Sequence, residues 1–512
     1  MLNLRFKSST SAFFEIDNNF PYYGELGYDV YLNGKTVIQS RKENFFSLFS
    51  LLPDTEYEIC VLDERIVFCT ESESGLVSVS DFGASGDGVS DDSEAIRKAI
   101  ACCPKNGRVY IPEGVYLTEP IVLKSDMTLE LARGAVLLGY TDTSRYPVLP
   151  ACVNKDGEDR IYSVFEGSAT PCYASFISAY FEKNVNIIGE GIIDGNAHKS
   201  VWWTHEYVKD TEKRRPKLLF LNGCENVNLH GIVGKNSPSW NFHPFFSKKL
   251  GFYDMKVEAN KNSPNTDGLN PECCESVDII GCRFSVGDDC IAIKSGKIEI
   301  GMKYKTPSSG INIRNCLMEF GHGGVVLGSE ISGGVKDLSV TKCIFRGTER
   351  GLRIKTRRGR GKYCVVDGIC FENILMDKVG IPFVINMHYN CDSDGNSDYV
   401  QTREPLAVDD RTPYIGSFEF KDIVCSECQG AAAYFEGLAE RPIGSVIMEN
   451  VSVSFACDAK EALVDGFLPK TYLCRSGMYF KNVGEVRLKN VEIKNFIGDK
   501  IIIENTPLIT EE

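Results

Sequence analysis

From about residue 120 onward the chain alternates apolar and polar positions in short runs that each end at a turn residue. Asn184-Val185-Asn186-Ile187-Ile188-Gly189, Asn226-Val227-Asn228-Leu229-His230-Gly231 and Ser276-Val277-Asp278-Ile279-Ile280-Gly281 share one pattern. Gly310-Ile311-Asn312-Ile313-Arg314-Asn315, Asp337-Leu338-Ser339-Val340-Thr341 and Gly444-Ser445-Val446-Ile447-Met448-Glu449-Asn450 continue it. Alternation with period two is the signature of a strand with one buried face. No amphipathic helix of ten or more residues separates the runs, so a doubly wound sheet is excluded. Short strands recurring every roughly 20 to 35 residues predict an all-β solenoid, a parallel β-helix. Three segments break the period, at about 140–180, 195–218 and 385–415, and are expected to be loops around the binding face.

Both ends of the pattern differ from its middle. Asp91-Asp92-Ser93-Glu94-Ala95-Ile96 reads as the start of a helix through about Cys103, with Ile96 and Ile100 on one face. Such a helix would cover the first coil, whose core and strand edges are otherwise open. Ahead of it, residues 1–74 look like a separate domain. Asn33-Gly34-Lys35 is a hairpin signal, and Leu51-Leu52-Pro53-Asp54-Thr55-Glu56-Tyr57 looks like the tyrosine corner of a fibronectin type III-like β-sandwich. The expected division is therefore 1–74 and a β-helix over 75–512.

At 512 residues, two domains or an elongated solenoid are expected. A net charge of −14 argues against nucleic acid and anionic membranes as partners, because both demand a basic face. No apolar run reaches the roughly 18 residues of a membrane helix. The N-terminus lacks the basic and apolar regions of a leader, so a cytoplasmic protein is expected. Twenty cysteines fit that address as reduced core thiols. Cys282, Cys316, Cys343 and Cys370 are expected to form an internal ladder. Cys425-Ser426-Glu427-Cys428 lacks the second pair that a zinc site needs, and neither a metal nor a cofactor is expected.

Between Asn265 and Lys355 stand Asn265-Thr266-Asp267-Gly268, Gly287-Asp288-Asp289, Gly321-His322-Gly323 and Arg353-Ile354-Lys355. Stacked coils would bring them into one patch, about 4.8 Å apart from coil to coil. Hydrolysis of a glycosidic bond needs a proton donor and a base or nucleophile on the opposite face. Asp267, Asp288 and Asp289 supply three carboxylates, and crowding should raise one pKa and make that group a donor. His322 can orient a carboxylate. Arg353 and Lys355, two apart on a strand, face one side and can bind an acidic sugar.

These four motifs, in this order, resemble the polygalacturonase family, glycoside hydrolase family 28, over roughly residues 76 to 500. The resemblance implies a right-handed, pectin lyase-like β-helix that hydrolyses α-1,4-linked galacturonic acid with inversion. It implies a general acid at Asp288, water activation by Asp267 and Asp289, an essential His322, and substrate binding by Arg353, Lys355 and Asn265. Tyr389 is taken for the family's active-site tyrosine. Trp202 and Trp203 are read as sugar platforms. The run Thr356 to Lys362, with Arg357, is read as a positive island that steers an anionic polymer. The N-terminal domain, the insertions and the stretch Asn236 to Pro244 look like the exo-acting branch, which takes (oligo)galacturonides from their ends. The alternatives are a rhamnogalacturonan or xylogalacturonan hydrolase on the same scaffold, or a non-catalytic glycan-binding β-helix.

Overall fold

The computed structural model describes residues 1–155 and 157–511. One parallel ladder runs through most of the chain. Val109, Leu129, Ile187, Leu229, Phe252, Ile279, Ile313, Val340, Phe371, Phe420, Met448 and Leu488 occupy the same register position in successive strands. Every one is buried and apolar. The residues on either side of each point outward, as the alternation requires; most are polar, and Ile188, Tyr253 and Ile280 among them are covered by the N-terminal sheets. Asn226, the second residue of strand Glu225–His230, has φ 56°, in the left-handed region that asparagine tolerates.

A second parallel face carries the site. Its strands include Ile291–Ile293, Val325–Gly328, Arg350–Lys355, Ile381–Asn386 and Ala431–Glu436. Single bridges from Phe242 to Leu269 to Ile291 join it to the earlier strands Leu219–Asn222 and Phe242–Phe245. Its inward row, Leu269, Ile291, Val325, Leu352 and Phe383, belongs to the same core as the first ladder.

The helix spans Ser93–Cys102 and buries Ile96, Ala99 and Ile100 against that core. Asp91 Oδ1 accepts the Ser93 N–H at 3.0 Å. Asp92 instead accepts from Ser85 and Gly86 and ties down the preceding loop.

Residues 2–69 form two small antiparallel sheets around Phe14, Val30, Phe46 and Ile59. Tyr57 accepts the Leu52 N–H on its hydroxyl at 2.9 Å. Strand Ala12–Ile16 is buried on both faces. Ala12, Phe14 and Ile16 fill the core between the two sheets, whereas Phe13 packs against Tyr253 and Ile280 of the solenoid and Glu15 pairs with Arg314 at 3.1 Å. His230, wholly buried, is bonded to Ser11 and Ser47 Oγ at 3.0 Å each.

All twenty cysteines are unpaired. Cys282, Cys316 and Cys343 stack as expected, but Cys370 does not. It lies beside Ser339 and Glu419 on the polar face, and register puts the buried Ile374 fourth in the row. A fourth insertion at about 456–475, with the antiparallel pair Ala462–Leu463 and Tyr472–Leu473, carried no sequence signal.

Candidate active site

Because Leu269 bridges Ile291, Asp267 and Asp289, each two residues earlier, lie one above the other on adjacent coils. The Gly268 N–H donates to the Asp289 carbonyl at 3.0 Å. Two coils further, Arg353 and Lys355 project from one strand face, in register with Val326 and Gly328. The coil between them is cut away. A Cβ at Gly323 would fall 2.4 Å from Val326 Cγ2 and 3.3 Å from Asp289 Oδ1, and Gly328 has φ 107°. Glycine at these places lets both cations reach across. Arg353 Nη1 donates to Asp289 Oδ1 at 3.2 Å and Lys355 Nζ to Oδ2 at 2.8 Å.

The three carboxylates sit in different fields. Burial alone would push Asp289 up, but Lys355 and Arg353 outweigh it and hold the carboxyl far below the usual range. Asp267 is pushed well above that range by burial and by the charge of Asp288, against Lys294 at 4.0 Å. Asp288 is half-buried and accepts from its neighbour's Asp289 N–H at 2.9 Å. His322 Nδ1 lies 3.1 Å from Asp288 Oδ1, and that bond raises the imidazole's pKa. One oxygen from each carboxylate lies within 4.8 Å of the others. Among the described residues this is the one set spaced to hold a metal ion, although Lys355 and Arg353 already engage both oxygens of Asp289.

These groups open into a cavity of about 260 Å³ that also brings in residues without a motif. Lys294 pairs with Glu330 at 2.8 Å and lies 4.6 Å above the Trp240 ring. Lys297 pairs with Asp392 at 2.9 Å, and Asp465 holds Arg353 Nη2 at 2.6 Å. Tyr389 lines the cavity with its ring 5.7 Å from the Arg353 guanidinium and 5.6 Å from Lys355. Asn265 lines it too and accepts from Arg215 Nη2 at 2.5 Å. The insertions at 140–180 and 385–415 reach the cavity through Glu166 and through Tyr389, Cys391 and Asp392. Lys294 had a faint signal, a lysine closing the apolar run Cys290 to Ile293. Asp465 and Glu330 had none.

Three expected binding residues lie elsewhere. Trp202 is wholly buried among Tyr146, Tyr173 and Tyr207. Trp203 packs beside it and donates Nε1–H to the Ser237 carbonyl at 3.1 Å. Neither lines the cavity, and Trp240 is the tryptophan that does. The positive island is also absent as a surface. Arg357, Arg358 and Arg360 are buried and matched by Asp394, Glu440 and Asp392. A cluster of charges close in sequence is thus neutralised by carboxylates distant in sequence. Trp202→Ala should therefore cost about 3–5 kcal/mol of stability, as large-to-small core changes do, with KM unchanged. Thermal melts and steady-state kinetics check both halves.

Residues 161–465 match the family model described as Glycosyl hydrolases family 28, and 76–161 match one described as Rhamnogalacturonase A/epimerase, pectate lyase-like. A probable polygalacturonase of Vitis vinifera is 32% identical over 78% of each chain. An endo-polygalacturonase of Pectobacterium carotovorum is 30% identical over 71% of this chain and 84% of its own. The solved family 28 exopolygalacturonase of Yersinia enterocolitica superposes with TM-score 0.72 at 20% identity, covering 99% of this chain and 98% of that one. At that identity the superposition speaks for the fold.

Proposed function

Because the chain belongs to glycosyl hydrolases family 28 and is a glycoside hydrolase, we propose that it trims galacturonic acid from the ends of α-1,4-linked galacturonides with inversion. The observation that carries this reading is a small cavity, three carboxylates deep, walled by loops from the insertions. At about 260 Å³ it is smaller than the roughly 300–1,000 Å³ typical of sites for drug-sized ligands. It suits one terminal ring rather than a run of several. Relatives carry both endo and exo names, so end-specificity rests on this wall.

Asp288, the carboxyl nearest solvent, protonates the leaving oxygen, with His322 orienting it. Asp267 and Asp289, stacked below, activate the water. Lys355 has ammonium protons to spare beyond its bond to Asp289 and takes the substrate carboxylate. Arg353 is committed to Asp465 and Asp289, and its part is to position both Asp289 and the Tyr389 ring. Within 4.8 Å, the nearest oxygens are closer than the roughly 6.5–9.5 Å usual for inverting pairs. Inversion rests instead on Asp289, whose two oxygens are both held by cations and so are poorly placed to attack carbon.

One observation favours a second division of roles. Burial and the charge of Asp288 raise the Asp267 carboxyl well above the usual carboxylate range, so Asp267 is the rival acid. The substrate reading has its own rivals in rhamnogalacturonan and xylogalacturonan. The unpaired cysteines support a reducing, cytoplasmic setting.

A time course on trigalacturonic acid and on long polygalacturonate should release monomer from the outset, as β-anomer by proton NMR. Early intermediate-length fragments would exclude end-wise action. Initial α-anomer would make one aspartate a nucleophile. Activity confined to rhamnose- or xylose-bearing polymers would move the substrate.

A further inference from the structure

Most charges lining the cavity are matched within the protein: Lys294 by Glu330, Lys297 by Asp392, Lys355 by Asp289. Glu166 is not. Among the described residues its carboxylate has neither a hydrogen bond nor an ion pair, although it lines the cavity and is half-buried.

It is held there deliberately by the backbone. Val164–Phe165 and Ser168–Ala169 form a minimal hairpin, and Glu166 and Gly167 at its tip have φ 45° and 71°. Positive φ at both central residues is the hairpin turn that fits twisted strands, with the glycine at the second place. The hairpin is fixed from three sides. The Lys217 amine donates to the Val164 carbonyl, the Phe165 ring stacks on Trp240 at 6.1 Å, and the Gly167 carbonyl accepts the Lys297 N–H at 2.8 Å. A Cβ at Gly167 would lie 2.7 Å from the Glu330 side chain, so the tip is wedged shut. Burial, with the charge of Glu330, also pushes the Glu166 carboxyl upward.

In an α-1,4-linked chain only the non-reducing terminal ring has a free 4-hydroxyl. An end-reading pocket must sense that group. We propose that Glu166 hydrogen-bonds the terminal 4-hydroxyl and is the residue that identifies a saturated chain end. This rests on the end-wise galacturonide reading above. It implies that the chain ends taken by this enzyme are made by hydrolysis, since eliminative cleavage leaves a 4,5-unsaturated ring without that hydroxyl.

The test is a coupling cycle between the residue and the hydroxyl. Wild-type protein and Glu166→Ala and Glu166→Gln variants are assayed on trigalacturonate and on its 4,5-unsaturated counterpart. A hydrogen bond to a charged group predicts a wild-type preference for the saturated trimer of roughly tenfold to a hundredfold in kcat/KM. Glu166→Ala should abolish that preference, mainly through KM, while leaving the unsaturated trimer within about twofold, inside the additivity expected of uncoupled groups. Glu166→Gln should retain part of it. Equal losses on both trimers, or a preference that survives Glu166→Ala, would overturn the assignment. Internal cleavage by the wild type would overturn the end-wise reading, and the inference with it; that outcome is seen in product sizes before any variant is made.

Discussion

Asp288→Asn should lower kcat by roughly a hundredfold to ten-thousandfold, the range of general acid catalysis, with KM little changed. The amide keeps the shape and can still meet His322, so folding is preserved while the proton is lost. The variant separates the two divisions of labour. A galacturonide with a leaving group that needs no protonation, such as fluoride, should restore turnover to Asp288→Asn and not to Asp267→Asn, if Asp288 is the acid. Rescue of Asp267→Asn instead would exchange the roles. The pH profile gives a second reading. Asp288 raises the His322 pKa by stabilising imidazolium, so losing the carboxylate lets it fall. Any alkaline limb set by His322 should move to lower pH. No movement of that limb would mean that His322 acts uncharged.

Lys355→Met should destabilise the protein by about 3–5 kcal/mol, because it leaves a buried carboxylate without its nearest cation. Asp289 is 1% exposed and Lys355 7%, so water does not replace the lost partner. The same burial predicts little sensitivity to salt, since screening acts on charges that solvent ions can approach. The pH dependence has a definite sign. The Asp289 carboxyl is held below its unfolded value, so its ionic contribution is complete above about pH 4 and is lost as pH falls through the folded pKa. The deficit of Lys355→Met should thus be full at neutral pH and shrink in acid. Asp289→Asn with Lys355→Met should regain most of the stability but none of the activity. A double variant as unstable as the single one would show that Lys355 matters for packing rather than charge.

Much of this architecture was legible in the chain because it obeys local rules. Alternation exposed the strands, and the three aspartates, His322, Arg353 and Lys355 stood in turn-flanked motifs that the coil spacing brings together. What escaped notice depends on distance. Asp465 grips Arg353 from 112 residues away, and nothing around it marks an insertion. Glu330 matters because Lys294 is beside it, which only the stacking creates. The misreadings have a common cause. Residue type alone points Trp202 and the arginines at 357, 358 and 360 toward the surface, and partners remote in sequence bury them. Cys370 was assigned by spacing, but its strand is longer than its neighbours and Ile374 takes the inner place.

The buried thiols give the protein a built-in set of timekeepers. Cys224, Cys274, Cys282, Cys316, Cys343, Cys364 and Cys425 are shut inside the core at different points along the solenoid, while Cys69, Cys102, Cys152 and Cys457 are open to solvent. Once the open thiols and the half-buried Cys60, Cys370, Cys391 and Cys474 are blocked, each of these core thiols can react only when its own part of the stack comes apart. Pulsed alkylation in mild denaturant, followed by peptide mass analysis, would therefore read how the molecule unzips. If unravelling starts from the C-terminal coils, the end opposite the helix, Cys425 should be labelled first and Cys224 last. Simultaneous labelling would mean that the whole stack opens as one cooperative block.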